Sequence, residues 1–134
     1  MKLTNKRIFI IEDDPKNLTI MEILLRQCNA QTQFERWGRD TVSRLLKFAP
    51  VDLILLDLNF PNNVTGYDIY DAIRQVPALA SIPVVAVSAS DASTAIPKTQ
   101  AKGFAGFIGK PIDILVFPQQ IAAVMDGKQI WQGF

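Results

Sequence analysis

The chain has 134 residues, 49% of them hydrophobic, which suits one domain with a buried core. Its 14 basic and 13 acidic residues nearly cancel, so no overall charge favours nucleic acid or an anionic membrane. It has no histidine and one cysteine, Cys28, which excludes the usual zinc ligands, a catalytic histidine and an internal disulfide. A bound metal would therefore be held by oxygen atoms.

The first apolar run, from Ile8 to Ile11, is stopped at once by Glu12, Asp13 and Asp14. It is too short for the core of a signal peptide or for a membrane span. We therefore expect no membrane association. The single cysteine also fits a reducing compartment, so the cytoplasm is the expected location.

Short segments along the chain predict β-strands. Most are continuous apolar runs, the pattern of strands buried on both faces of a parallel sheet. The second segment is more polar and alternates, which predicts an edge strand. In chain order the predicted strands are Ile8 to Ile11, Gln31 to Trp37, Leu53 to Leu56, Val84 to Val87 and Phe104 to Ile108.

Segments with helical spacing alternate with these strands. Asp14 as N-cap and Pro15 at the first helical position predict the start of the first helix. Pro97 would break a helix from Asp91 to Lys102, so a short fourth helix starting near Pro97 is expected. The fifth helix is expected to begin at Pro118. The apolar positions that mark the other helices are Leu18, Met21, Leu25 and Cys28; Val42, Leu45, Leu46 and Ala49; and Ile69, Ile73 and Val76.

Strands that alternate with helices through a whole chain predict an α/β fold with a doubly wound, five-stranded parallel sheet covered on both faces. We expect residues 1–127 to form this domain and residues 128–134 to be a short C-terminal tail. Trp131 and Phe134 of the tail are expected to pack back onto the domain. No output domain is expected to follow.

Polar residues stand directly after the central strands. Glu12 and Asp13 follow the first strand, Asp57 the third, Ser88 the fourth and Lys110 the fifth. The carboxyl ends of parallel strands meet at one edge of an open sheet, where ligands bind. The sequence therefore predicts a cleft that combines three acids, a hydroxyl and an ammonium group.

These groups suit phosphate chemistry on a metal ion. Close carboxylates repel one another unless a divalent cation joins them, and Mg²⁺ prefers oxygen ligands together with phosphate. Lys110 can pair with a phosphoryl oxygen and Ser88 can donate a hydrogen bond to another, which leaves Asp57 as the nucleophile. Each residue alone has an ordinary structural explanation, such as a turn or a helix cap. The combination at successive strand ends is what points to function.

Four motifs in this order resemble the receiver domain of bacterial two-component response regulators, of the single-domain, CheY-like kind. They are Ile10-Ile11-Glu12-Asp13-Asp14-Pro15, Leu55-Leu56-Asp57-Leu58 with Pro61, Val87-Ser88-Ala89, and Gly109-Lys110-Pro111. The resemblance covers nearly the whole chain. It implies the flavodoxin-like strand order 2-1-3-4-5.

The resemblance also implies the metal site. Glu12, Asp13 and Asp57 would bind Mg²⁺, and Asn59 would add its backbone carbonyl. Asp57 would be phosphorylated by a sensor histidine kinase or a phosphotransfer protein. The chain would then be the phosphoacceptor of a phosphorelay, not an enzyme, and would signal through a downstream protein partner without contacting nucleic acid.

The remaining implied roles belong to the switch. Ser88 would be the switch hydroxyl, Phe107 the switch aromatic residue, and Lys110 the lysine that pairs with phosphate. Two positions depart from the family pattern: Glu12 stands where aspartate is commoner, and Phe107 where tyrosine is frequent. The loop from Pro61 to Gly66 is also longer than the commonest one.

Other functions stay open at this point. A phosphorylation-independent, receiver-like interaction module is the main alternative, favoured by Glu12 and by the unusual fourth helix. An aspartate-nucleophile phosphatase would want a second acid where Asn59 stands. A phosphate-binding loop is disfavoured, because the glycines before Lys110 have the wrong spacing and Pro111 replaces the required hydroxyl.

Overall fold

The structure is a computed structural model that describes residues 3–61 and 63–133. In chain order its elements are β1 (Arg7–Ile11), α1 (Pro15–Gln27), β2 (Gln31–Glu35), α2 (Thr41–Phe48), β3 (Leu53–Leu56), α3 (Gly66–Arg74), β4 (Val84–Ser88), α4 (Ala92–Lys102), β5 (Gly106–Gly109), α5 (Phe117–Met125) and β6 (Ile130–Gln132). The strands form one sheet in the order β2-β1-β3-β4-β5-β6, and every neighbouring pair is parallel. The predicted doubly wound α/β fold and the order 2-1-3-4-5 are confirmed.

Both faces of the sheet are buried. Successive strand residues point to opposite sides, so Ile8 and Ile10 pack with α1 and α5, while Phe9 and Ile11 pack on the side of α2, α3 and α4. All of these side chains are at most 1% exposed. This double burial explains why the central strands are unbroken apolar runs, and it leaves polar residues only at the strand ends. Within residues 3–61 and 63–133, no helix is long and apolar enough to cross a membrane.

Two strand boundaries differ from the prediction by two residues, and three others differ by one. The edge strand β2 ends at Glu35 and not at Trp37, because the Glu35 carboxylate accepts hydrogen bonds from the backbone amides of Arg39 and Asp40 and turns the chain toward α2. Strand β5 starts at Gly106, not at Phe104. Gly103 ends α4 in a left-handed turn with a φ of +100°. Phe104 and Ala105 connect this turn to the strand.

The helix starts were predicted with mixed success. Asp14 caps α1 as expected, with its Oδ1 accepting from the Lys16 amide at 3.0 Å, and Pro15 is the first helical residue. Helix α5 begins at Phe117, directly before the predicted Pro118. Both prolines occupy positions where a helix has no partner for their missing N–H group.

The prediction for the fourth helix was wrong. Helix α4 runs from Ala92 to Lys102 and contains Pro97. Its N-terminus is capped by Asp91, which accepts from the Ser93 amide at 3.2 Å, and its C-terminus ends at Gly103. Pro97 is exposed, and so is Ser93, whose carbonyl loses its helical partner, so water can replace that bond. Two good caps and a solvated break let the helix continue through the proline.

Strand β6 was not predicted. Its residues pair with β5 in parallel, with Gly106 opposite Ile130 and Phe107 opposite Trp131. Trp131 packs against the side of the core that faces α2, α3 and α4, as expected for a tail that returns to the domain. The same expectation for Phe134 concerns a residue outside the described ranges.

Candidate functional site

The predicted acids meet at the carboxyl edge of the sheet. Glu12 and Asp13 follow β1, and Asp57 follows β3, its neighbour in the sheet. One carboxylate oxygen from each of the three residues lies within 4.8 Å of the others. The pairing of β1 with β3 places them there, since Ile11 is opposite Leu56 and the next residues of both strands leave the sheet together.

Glu12 is the most deeply buried of these acids, with 1% of its surface exposed. Its Oε2 accepts a hydrogen bond from the Asp14 backbone amide at 3.1 Å. Its Oε1 lies 2.5 Å from Lys110 Nζ, yet among the described residues it accepts no hydrogen bond of acceptable geometry. Glu12 therefore pairs by charge with Lys110 through Oε1, while the Asp14 amide holds Oε2.

Burial makes the charged form of Glu12 costly. Loss of hydration raises the pKa of Glu12 from 4.5 to about 7, and the charge of Asp57 adds to this rise, while Lys110 and the Asp14 amide oppose it. A cation beside the carboxylates would remove this cost. Binding of a cation next to the Glu12 carboxylate is therefore favourable.

Asp57 is held rigidly at the end of β3. Its Oδ1 accepts hydrogen bonds from the backbone amides of Leu58 at 2.7 Å and Asn59 at 3.3 Å. Its Oδ2 faces Lys110 Nζ at 3.1 Å. A Cβ atom at Gly66 would lie 2.2 Å from the Asp57 carbonyl oxygen, so only glycine allows the start of α3 to pass so close.

Lys110 reaches the acids from the end of β5. Its Nζ contacts both Glu12 Oε1 and Asp57 Oδ2, and its side chain is 10% exposed. Burial alone would favour the neutral amine, but the two carboxylates outweigh it and raise the pKa of Lys110 above its ordinary value. Lys110 therefore stays charged beside Asp57, as an anion-pairing group requires.

Ser88 is fully buried at the end of β4 and belongs to a chain of hydrogen bonds. Its Oγ lies 3.0 Å from Ser90 Oγ and accepts from the Ser90 amide at 3.1 Å. Ser90 Oγ in turn accepts from Asn59 Nδ2 at 2.7 Å. The side chain of Asn59 thus links the loop after Asp57 to the predicted switch serine.

Phe107 is fully buried in β5, next to β4, where it lies opposite Ala86. It belongs to the same cluster as Leu58 and Ala95, which come from the loop after Asp57 and from α4. The predicted switch aromatic residue is therefore part of the core on the face of the sheet that carries α4.

One residue near the site was not predicted. Arg36 follows the edge strand β2 and donates hydrogen bonds to the Asp13 backbone carbonyl, at 3.1 Å from Nη2 and 3.4 Å from Nε. Its guanidinium lies 4.7 Å from the ring centre of Trp37. Its contact holds the loop that carries Asp13. Only the pairing of β2 with β1 brings the two residues together, so no local pattern could have indicated the contact.

The donor atoms of this pocket fit a divalent cation. The carboxylates of Glu12, Asp13 and Asp57 converge, and Oε1 of the buried glutamate accepts no hydrogen bond of acceptable geometry within the described residues. Hard oxygen anions in this number suit Mg²⁺. The pocket is thus an acidic cluster with the chemistry of a magnesium site.

Comparison with known proteins agrees with this geometry. The profile of the response regulator receiver domain matches residues 8–122. The chain belongs to the response regulator receiver domain family. This receiver is 27% identical over 120 residues to the polar-differentiation response regulator DivK of Brucella ovis, covering 90% of this chain and 96% of DivK.

Longer relatives contain a similar segment. The signal transduction histidine-protein kinase BarA of Escherichia coli K12 is 29% identical over 106 residues, which are 79% of this receiver and 11% of BarA. The rice two-component response regulator ORR1 is 24% identical over 115 residues, and this receiver spans 49% of its length. The receiver therefore covers about half or less of the length of these relatives.

Solved structures show the same fold. The chemotaxis response regulator CheY4 of Vibrio cholerae superposes with a TM-score of 0.80 at 19% identity, over 90% of this receiver and 99% of CheY4. The bacteriophytochrome response regulator RtBRR gives a TM-score of 0.72 at 26% identity, over 96% of this receiver and 81% of RtBRR.

Proposed function

We propose that this receiver is the phosphoacceptor of a two-component phosphorelay. Asp57 would take a phosphoryl group from a phosphohistidine of a sensor histidine kinase or phosphotransfer protein. The modified receiver would then signal by binding a downstream protein in the cytoplasm, without direct contact with nucleic acid. The observation that carries this proposal is the meeting of Asp57 with two further carboxylates and Lys110 in one pocket.

The proposed transfer is an in-line displacement at phosphorus. A carboxylate oxygen of Asp57 attacks, the P–O bond forms as the P–N bond to histidine breaks, and the imidazole leaves with the bonding pair. Lys110 Nζ, 3.1 Å from Asp57 Oδ2, would pair with the charge of the transferred group. Ser88 would donate a hydrogen bond to one of its oxygens after leaving Ser90.

Glu12, Asp13 and Asp57 are the proposed Mg²⁺ ligands, with the backbone carbonyl of Asn59. When bound, the metal would offset negative charge on the transferred phosphoryl group. In this proposal Asp13 depends on Arg36 for its position, and Glu12 supplies the oxygen that accepts no hydrogen bond within the described residues.

One observation favours a second candidate, a receiver-like module that binds a partner without phosphorylation. Lys110 already lies 2.5 Å from Glu12, the position where aspartate is commoner, so part of its charge is engaged inside the pocket. Such a module would keep the fold and the downstream partner but would not accept phosphate. Only the phosphoacceptor would form a phosphoryl adduct, which can be measured.

The test is incubation of the full chain with acetyl phosphate and Mg²⁺, followed by intact mass measurement. We expect a base-labile phosphoryl adduct that disappears in the Asp57→Asn variant and on addition of a chelator. Asp126→Asn is the matched control, because Asp126 is an exposed acid after α5. An equal adduct on Asp57→Asn would place the acceptor elsewhere, and no adduct on the wild type would favour the second candidate.

A further inference from the structure

Strand β6 covers an edge of the sheet and touches both flanking helices. It pairs with β5 along Gly106, Phe107 and Ile108. Gln120 of α5 donates from Nε2 to Gln132 Oε1 at 2.5 Å. On the side of α4, a Cβ atom at Gly133 would lie only 2.7 Å from Ala92 Cβ. The segment thus lies along the β5 edge, between α4 and α5.

Gly106 is adapted to this contact. A Cβ atom there would lie 2.6 Å from the Ile130 carbonyl oxygen, and the next two nearest atoms also belong to the backbone of Ile130. Contacts this short do not occur in folded proteins, so a side chain at this position would displace β6. The glycine therefore allows β6 to dock, and its replacement gives a selective way to remove that docking.

Trp131 connects β6 to the proposed switch. It is the register partner of Phe107, and partners in parallel strands project to the same face of the sheet. Both side chains join the core cluster that includes Leu58, directly after Asp57. Trp131 thus rests on a surface to which the ring of Phe107 contributes.

Strand β6 is short and only partly buried. The strand has three residues, and its two hydrophobic side chains are only half-buried. A cleft of about 240 Å³ remains between it and the body, lined by Ile108, Gln120 and Gln132 among others. Before the strand, Gly127 turns the chain out of α5 with a φ of +88°, and no atom lies within 4 Å of the point where a Cβ would stand.

We propose that β6 is a displaceable cover of the β5 edge, and that phosphorylation of Asp57 releases it through Phe107 and Trp131. This inference rests on the proposed function. In this structure the Ser88 hydroxyl is hydrogen-bonded to the Ser90 hydroxyl. Phe107 is buried, and Trp131 packs against the same core cluster. When Ser88 turns to a phosphoryl group on Asp57, the space beneath the β4–α4 loop changes and Phe107 moves. Trp131 then loses the surface on which it packs.

Release of β6 would expose a strand edge of defined chemistry. The backbone groups of residues 106–108 that face β6 would lose their partners, while those that face β4 would stay paired, and the groove between α4 and α5 would open. Such an edge accepts an extended peptide that adds as a new strand. The expected partner segment therefore has the pattern of β6 itself, with an aliphatic residue followed by an aromatic one.

The first measurement is hydrogen exchange of the full chain with Mg²⁺ alone and with Mg²⁺ and beryllofluoride, which mimics the phosphoryl group. We expect exchange in residues 128–133 to accelerate by about fivefold or more, the usual scale of coupling between sites. Strand β2, at the opposite edge of the sheet, is the internal control and should not change.

The second measurement uses thermodynamic reciprocity. If beryllofluoride weakens β6 docking, then weaker docking must tighten beryllofluoride binding. Gly106→Ala and Trp131→Ala should each bind beryllofluoride about fivefold more tightly than the wild type. Phe34→Ala, which removes a partly exposed ring from β2, should bind like the wild type. Trp131→Ala decides the matter if Gly106→Ala does not fold, because Trp131 is only half-buried.

The outcomes separate this inference from the function on which it rests. If beryllofluoride shifts the amides of Leu58 and Ser88 but leaves β6 exchange and the variants' affinities unchanged, the inference is overturned and the function stands. If the wild type binds no beryllofluoride, both are overturned.

Discussion

Glu12 stands where the family more often has aspartate, and its longer arm brings its carboxylate to Lys110 as well as to the other acids. The carboxylate is nearly inaccessible to water, so its protonation is linked to folding. In the unfolded chain it titrates near its ordinary pKa, whereas burial raises the pKa to about 7 in the folded protein.

The sign of this linkage gives a prediction for the metal-free protein. Between about pH 4.5 and 7 the folded state binds more protons at Glu12, so the free energy of unfolding falls as pH rises through this window. Glu12→Gln should remove that fall, which is on the order of 3 kcal/mol. Urea unfolding of both proteins from pH 4 to 8 with a chelator measures the difference. Parallel curves would contradict it.

A second prediction at this scale concerns Mg²⁺. Asp13→Asn removes an anionic oxygen from the cluster and should weaken Mg²⁺ binding at least about tenfold, whereas Glu12→Asp keeps the charge and should largely preserve binding. Titration calorimetry measures both, and Asp126→Asn serves as the control for a lost surface charge. Equal affinities for Asp13→Asn and the wild type would remove Asp13 from the metal site.

At the scale of elements, α4 shows how a helix tolerates a residue that opposes it. Pro97 removes one helical hydrogen bond, and the caps at Asp91 and Gly103 compensate. The helix borders the core cluster that contains Phe107, so its stability bears on the proposed switch.

This view predicts the effect of replacing the proline. Pro97→Ala should restore the backbone hydrogen bond from residue 97 to the Ser93 carbonyl. The substitution also makes the unfolded chain more flexible, which offsets part of the gain, so the free energy of unfolding should rise by about 1–2 kcal/mol. Pro118→Ala is the matched control, since Pro118 lies in the first turn of α5, where the bond is missing anyway. Chemical denaturation compares the two, and an equal gain for both would show that the break in α4 has no cost.

At the scale of the whole molecule, the proposed signal must cross from Asp57 to the surface around α4 and α5. The Ser88–Ser90–Asn59 hydrogen bonds join the ends of β3 and β4, and Phe107 is buried in the next strand of the sheet, β5. Beryllofluoride should therefore perturb backbone amides from Ala89 to Ile121 in the wild type.

Removing the hydroxyl of Ser88 should prevent the conformational change from spreading beyond Asp57. In Ser88→Ala we expect beryllofluoride to bind still, through Asp57 and Lys110, but amide shifts to stay close to Asp57. Ser43→Ala, an exposed serine on α2, should behave as the wild type. Nuclear magnetic resonance spectra of the three proteins decide this, and shifts that reach α5 in Ser88→Ala would show that the serine does not carry the signal.

The order of elements from β1 to α5 and the polar residues at the strand ends could be predicted from the sequence alone. Buried parallel strands must be apolar throughout, so the polar residues directly after them, from Glu12 to Lys110, stood out without any structure. Asp14 and Pro15 marked the start of α1 because capping is a local interaction.

Features that depend on contacts distant in sequence could not be predicted and became visible only in the assembled fold. The three residues of β6 form a strand because the β5 edge and Gly106 accept them, and Arg36 reaches Asp13 because β2 lies beside β1. Pro97 stays helical because water can bind the Ser93 carbonyl that lost its partner, and because caps stabilise both ends of α4. Local patterns report local propensity, whereas edge pairing, long-range hydrogen bonds and compensation between sites are set by the assembled fold.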